Sequence, residues 1–437
     1  MRFEISNLRL CLAVALLLCA SGAEARPTQK GARGGAGRGA EDAAPLLARA
    51  LELLREGKFA EAEPLVRAAL AARPSNADAH ALLGVILDQR GRAREAEAEY
   101  RTALRLRPEA VAPRANLGVL LARAGRQAEA AAEFEAVLRA APGHPQATFN
   151  LGLALFELKR YEEAAALLST PAALAQNAPQ AYYRLGLISA ARGRAEEAAD
   201  FWQRALSLRE NFPEVHFALA EELRRQRRYE GAAEFYERAS SEDPARLVYR
   251  VRLGGVLMLL SRFDRAQEVF DEAAARFPDS AEAHYFAGIA ARGRGDYEAA
   301  EAALRRSLRL RAGSADALAQ LGFVVGERGR EAEAEQLLRQ AVRADARHFY
   351  ANYDLGRLLV RGRRYEEALG VLRGAARIRE SDAGVHYQMF LALTRLGRKD
   401  EAGRELSLFK KLDEERKARR TGMGEEQVED SLPAPEN

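Results

Sequence analysis

The chain has 437 residues, 48% of them hydrophobic, 30% charged and 7% aromatic, a globular composition able to bury a core. Its richness in Ala, Leu, Glu and Arg and its shortage of strand formers point to an all-α protein. Net charge is only +4, from 67 basic and 63 acidic residues interspersed along the chain, so the one-sided basic face of a nucleic-acid binder is not expected.

The first 25 residues read as a secretory signal. Arg2 and Arg9 precede an apolar run from Leu10 to Ala20, and small residues follow at Ser21, Gly22, Ala23 and Ala25. The run is too short for the roughly 20 residues of a membrane-spanning helix, and no later segment could span a bilayer. Ala23-Glu24-Ala25 suits signal cleavage. The alternative is lipidation at Cys19, against which Leu18 stands where the lipoprotein pattern wants Gly, Ala or Ser. Cys11 and Cys19 are the chain's two cysteines, so cleavage leaves a mature chain without disulfide, thiol nucleophile or cysteine metal site.

Residues 26–42 are Gly/Arg-rich and read as a flexible tether. From Ala43 a period of 34 residues takes over, with eleven units starting at 43, 77, 111, 145, 179, 213, 247, 281, 315, 349 and 383 and no insertion between them. The solenoid ends at 416, and 417–437 are read as the end of a helix followed by a disordered acidic tail.

Position 20 of every unit is alanine, from Ala62 and Ala96 through to Ala368 and Ala402. Position 8 is Gly84, Gly118, Gly152, Gly186, Gly254, Gly288, Gly322 or Gly356, with Ala50, Ala220 and Phe390 in the other units. A helical glycine costs about 1 kcal/mol relative to alanine, so its recurrence implies close helix approach, where overpacking would cost about 1 to 3 kcal/mol. Leucines at position 7, such as Leu83 and Leu355, and bulky residues at position 24, such as Tyr100, Phe134, Trp202, Tyr236 and Phe270, complete the seam.

Glycines at position 15, among them Gly57, Gly91, Gly125 and Gly193, suit a left-handed helix C-terminus between two helices. Pro74, Pro108, Pro142, Pro244 and Pro278 separate the units. Two irregularities are foreseen: Pro171 should kink or shorten the second helix of the fourth unit, and Ser407 to Arg420 should cap the exposed end of the array.

This pattern resembles the tetratricopeptide-repeat family over about 85% of the chain. The second unit carries it almost completely in Leu83-Gly84, Leu87, Ala96, Tyr100, Ala103 and Pro108, departing only at His80. The resemblance implies a right-handed α-solenoid of about eleven helix-turn-helix units with a C-terminal capping helix. It also implies that positions 2, 5, 9 and 12 of each first helix line a concave groove.

Position 5 then offers the aromatics Phe149, Tyr183, Phe217, Tyr285, Tyr353 and Tyr387, while position 9 is largely apolar, including Val119, Ile289, Phe323 and Leu391. Arg225, Arg357, Arg361 and Arg395 could add polar contacts at the rim. Rigid rings at a concave surface make good anchors, but packing between repeats explains the same residues equally well.

The clamp by which some family members grip a carboxylate terminus is not expected, since position 5 is never Lys and position 9 never Asn. Asn116 and Asn150 resemble two rungs of the asparagine ladder in O-linked N-acetylglucosamine transferase, but the catalytic domain of that family is absent.

His80, His216, His284 and His386 fall at position 4, while His144 and His348 fall at position 34. They therefore follow the repeat and read as structural. No nucleophile set, phosphate loop or metal spacing accompanies them. Recurrent pairs such as Glu162-Glu163, Glu196-Glu197 and Glu366-Glu367 suit helix N-termini. The expectation is an exported, non-catalytic scaffold that needs no cofactor and binds a protein or peptide. The alternatives are an accessory subunit of envelope assembly or polysaccharide export, and an unrecognised enzyme.

Overall fold

In the computed structural model, residues 43–420 are described, with side chains to 417. The expected signal, tether and acidic tail lie outside the described residues. The described residues form 22 helices and no strand. In chain order these are α1 (Ala43–Arg55), α2 (Phe59–Ala72), α3 (Ala77–Gln89), α4 (Ala93–Leu106), α5 (Val111–Arg123), α6 (Gln127–Ala140), α7 (Pro145–Glu157), α8 (Tyr161–Leu168), α9 (Pro171–Ala191), α10 (Ala195–Leu208) and α11 (Pro213–Arg225). They continue as α12 (Tyr229–Glu242), α13 (Leu247–Leu259), α14 (Phe263–Arg276), α15 (Ala281–Gly293), α16 (Tyr297–Leu310), α17 (Ala315–Glu327), α18 (Glu331–Ala344), α19 (Phe349–Arg361), α20 (Tyr365–Ile378), α21 (Ala383–Arg395) and α22 (Lys399–Arg420). Consecutive pairs make eleven antiparallel hairpins. Five belong to a first compact unit, Met1–Glu210, and six to a second, Asn211–Asn437.

The glycines of position 8 are explained by the residue sixteen places on. A Cβ on Gly84 would lie 2.6 Å from the Tyr100 ring, one on Gly118 2.7 Å from Phe134, and one on Gly288 2.7 Å from Leu304. The alanines of position 20 complete this crossing. The carbonyl oxygens of Ala300 and Ala334 would lie 3.3 and 3.4 Å from a Cβ on Gly288 and Gly322, so the two helices meet with almost no side chain between them. Glycine is not obligatory at this crossing: position 8 is Ala50 opposite Val66 in the first hairpin and Ala220 opposite Tyr236 in the sixth.

Every hairpin turns on a residue of positive φ at position 15. Seven are glycines, and the other four are Lys159, Arg227, Ser261 and Arg363, with φ of 57 to 61°. The backbone closes the turn in the manner of a Schellman motif: in hairpin 10 the Arg364 N–H donates to the Leu359 carbonyl at 2.9 Å and the Arg363 N–H to Val360 at 3.1 Å. A side chain pays a steric cost in this conformation that glycine avoids. Arg363 is exposed, so Arg363→Gly is expected to stabilise the protein by about 0.5 to 1 kcal/mol, measured by urea denaturation. A loss of stability would mean that the arginine side chain makes a compensating contact.

Pro171 has the foreseen effect. Helix α8 stops after 8 residues, and Pro171 opens α9 behind Thr170, whose Oγ1 accepts from the Ala173 N–H at 3.3 Å. Helix α9 is broken at Asn177 (φ −162°, ψ 81°), and the Asn177 side chain caps the next segment by accepting from the Gln180 N–H. At the far end the capping segment is the continuation of α22, which runs for 22 residues.

Two tertiary devices link neighbouring hairpins. A polar side chain at position 4 reaches back to the carbonyl at position 32 of the preceding unit, as in His80 to Pro74 at 2.9 Å, Arg114 to Pro108 at 2.6 Å, His284 to Pro278 at 2.9 Å and Asn352 to Ala346 at 3.2 Å. The second is an arginine–glutamate ladder along the second helices. Arg92 reaches back to Glu63 at 2.8 Å, Arg126 to Glu97 at 2.8 Å and Arg364 to Glu335 at 2.7 Å, and Arg330 repeats the contact on Glu301. Burial pushes the Glu63 and Glu301 carboxyls up, but the surrounding guanidiniums more than offset this and hold both below the usual carboxylate range.

Candidate peptide-binding groove

Within each compact unit the first helices of successive hairpins touch directly, as α3 does α5 and as α15 does α17 and α17 does α19, while the second helices show no comparable approach. The first helices therefore line the inner side of each unit, and any groove there is built from their exposed rows.

The structure divides the aromatic row of position 5. Phe149 and Tyr183 are only 7% and 8% exposed and offer little surface. Phe217 lies 4.9 Å from the Tyr249 ring and 5.6 Å from Tyr236, bridging to the next hairpin. Tyr353 stacks on Phe349, and its hydroxyl lies close over Gly384 of the following first helix. This row thus packs consecutive hairpins together, while Tyr285 and Tyr353 remain half-buried and Tyr387 is 39% exposed.

The polar candidates also separate. Asn116 and Asn150 are half-buried in the first unit. In the second, Arg225 pairs with Glu222 at 2.7 Å, Arg361 with Glu331 at 2.9 Å, and Arg357 with Glu327 at 3.1 Å and Asp354 at 3.6 Å, while Arg395 is exposed.

Reading the sequence did not single out Arg184, Glu221, Arg252, Arg292 or Asp354. Glu221 accepts from the Tyr236 hydroxyl at 2.6 Å and Arg224 at 3.2 Å, and lies 3.1 Å from Arg252, which is 2% exposed. Burial, reinforced by the Glu221 charge, raises the Tyr236 hydroxyl far above its ordinary range. Arg184 is buried against the faces of Phe156, at 4.7 Å, and Tyr183, at 5.5 Å. In hairpins 8 to 10 the Phe323 ring has two guanidiniums over it, Arg292 at 5.3 Å and Arg357 at 5.1 Å from its centroid. Beside them burial pushes the Asp354 carboxyl up to about 6, against the opposing pull of Arg357 and Arg292. The signal available in the sequence was the register: Arg184, Arg252 and Asp354 all occupy position 6, the row of Asn116 and Asn150.

The histidines are spread among separate hairpins. His80 pairs with Glu99 at 2.6 Å, His216 with Glu242 at 2.9 Å and His386 with Glu405 at 2.7 Å. His144 and His348 cap α7 and α19, each Nδ1 accepting a backbone N–H. Among the described residues no three His, Cys, Asp or Glu gather as a metal-ligand set, and no helix is long and apolar enough to cross a membrane.

Comparison with known proteins follows the same register. A family model described as a tetratricopeptide repeat matches residues 47–111, 87–145 and 115–170, and another of that description matches 179–212. A model of the C-terminal domain of cilia and flagella-associated protein 70 matches 210–430. Similar solved structures include yeast Tom70 (14% identity, TM-score 0.39, covering 83% of this chain and 97% of that one) and the APC/C hetero-tetramer Cut9-Hcn1 (12%, 0.44, 91% and 96%). Another is YrrB, described as a TPR protein with an unusual peptide-binding site (20%, 0.34, 41% and 93%). No match is found among the curated proteins. With repeat models matching both compact units, the chain belongs to the tetratricopeptide-repeat family.

Proposed function

We propose that this protein is an exported, non-catalytic scaffold that holds an extended segment of another protein along the inner face of its first helices. The family binds protein and peptide partners. The observation that carries the reading here is the inner face of hairpins 8 to 11, where Tyr285, Phe323 and Tyr353 remain half-buried, Tyr387 is exposed, and the helices of Tyr285 and Tyr353 also carry Arg292, Arg357 and Arg361. Aromatic and arginine side chains are the residues that most often dominate protein interfaces. A catalytic role has no comparable support, because the histidines are engaged separately: His80, His216 and His386 by a glutamate, His144 and His348 as helix caps, and His284 by the Pro278 carbonyl. Export rests on Arg2 and Arg9 ahead of the apolar run from Leu10 to Ala20.

The test is affinity capture from the native cell with wild type and with Tyr353→Ala/Arg361→Ala/Tyr387→Ala as baits. The variant is expected to lose at least about tenfold of its captured partner while keeping its helical circular dichroism. Undiminished capture would overturn the groove reading. Tyr183 and Phe217 are unsuitable probes, since truncating such packed rings removes stability as well. Mass spectrometry of the recovered protein is expected to find Arg26 at the N-terminus; an intact Met1 would contradict export by cleavage.

A further inference from the structure

Three arginines face the inner side of hairpins 8 to 10, and two have carboxylate partners within the protein. Arg357 is held by Glu327 at 3.1 Å and Asp354 at 3.6 Å, and Arg361 by Glu331 at 2.9 Å. Arg292, at the end of α15, is different. It is half-buried, its guanidinium rests on the Phe323 ring at 5.3 Å, and among the described residues no carboxylate or carbonyl lies within hydrogen-bonding distance of it. A guanidinium has five N–H donors, and a phenyl face provides none of the in-plane acceptors they are shaped for. The contact with the ring and the half-burial of the side chain restrict its rotamers, so less conformational freedom is left to lose when an acceptor arrives.

We infer that Arg292 is a preoriented carboxylate-binding subsite, which takes an internal Glu or Asp side chain of the extended partner while Phe323 supports the guanidinium from behind. This rests on the groove reading above and adds the chemistry of the partner. A bidentate guanidinium–carboxylate contact is the strong, directional pairing such geometry suits. Asp354 lies in the same field, but its side chain is only 12% exposed and its carboxylate is paired at 3.6 Å with Arg357, which leaves the donors of Arg292 to the partner. The partner segment is accordingly acidic, with apolar residues alternating to meet the rings on either side.

The test uses the full chain and three fluorescein-labelled, C-terminally amidated octapeptides, Glu-Leu, Gln-Leu and Lys-Leu alternating, followed by fluorescence anisotropy. Wild type is expected to bind the Glu peptide at least tenfold more tightly than the Gln peptide and to bind the Lys peptide least. Arg292→Gln should abolish the preference for Glu over Gln, and Arg292→Lys should keep only part of it, with the melting temperature of both variants near that of wild type. Equal binding of the Glu and Gln peptides, binding of none, or a preference that survives Arg292→Gln would overturn the inference. So would Arg292-dependent binding of a twelve-residue oligothymidine in place of the Glu peptide, which would assign the group to phosphate. If Arg292→Gln captures the native partner normally while the Tyr353/Arg361/Tyr387 variant does not, the inference falls and the groove reading stands; if neither loses the partner, both fall.

Discussion

Gly186→Leu is expected to destabilise hairpin 5 by more than about 3 kcal/mol, enough to melt a cooperative block of the array in thermal circular dichroism. A Cβ at Gly186 would already meet the Trp202 indole, with Cε2 at 2.8 Å. The indole is fully buried, and its Nε1–H donates to the Tyr183 carbonyl at 3.2 Å, so it cannot swing aside without leaving its own buried N–H short of an acceptor. Gly186→Ala should cost less, about 1 to 2 kcal/mol, because the overpacking is partly offset by the better helix propensity of alanine. Trp202→Leu removes the obstruction, and the double variant Gly186→Ala/Trp202→Leu is expected to be more stable than the sum of the two single losses by about 1 to 2 kcal/mol. Additive losses would show that glycine at this register is not dictated by its partner at position 24.

Asp354→Asn is expected to stabilise the protein at neutral pH by about 2 to 3 kcal/mol, the linkage value of a carboxyl displaced by about two pH units. Burial is the largest influence on this group, lifting it from 3.8 to about 6, with Arg357 and Arg292 opposing. Because the folded state holds the proton more tightly than the unfolded chain, the ionised carboxylate works against folding. The penalty is absent below about pH 4, grows as pH rises through 6 and is complete above about 7. The advantage of the variant should follow the same course. Glu63, Glu301 and Glu335, held below the usual range by their arginines, contribute stability lost as the pH falls through their folded values, and they do so equally in both proteins. The difference in urea stability between wild type and Asp354→Asn therefore isolates the one carboxyl. A variant less stable than wild type at pH 8 would show that the charge on Asp354 is worth more to Arg357 and Arg292 than its burial costs.

The fold was legible because the constraints that make it act at fixed distances along the chain. The 34-residue period, the invariant alanine, the glycine at position 8 and the turn glycine at position 15 all describe one hairpin, and each hairpin is assembled from nearby sequence. Even Pro171 announced its effect. Contacts that join one hairpin to the next were harder to read. The position-4 histidines register as packing until the carbonyl at position 32 is seen beside them, and Arg364 pairs with Glu335 across 29 residues, a spacing with no local meaning.

The groove was legible as rows but not as exposures. Tyr183 and Tyr387 share a register, yet one is buried and the other, on α21 of the terminal hairpin, is exposed. Arg292 and Asp354 were missed for a related reason: a single charged residue in a helix reads as solvent-facing until its neighbours are known, and here those neighbours come from three separate first helices.

The most direct test of the account is site-specific photo-crosslinking in the native cell, with p-benzoylphenylalanine placed either at Arg361, on the first-helix side, or at Gly370, on α20 where an added Cβ meets nothing within 4 Å. The account predicts a discrete protein adduct from position 361 and none from position 370. Adducts from position 370 alone would place the partner on the second helices and contradict it.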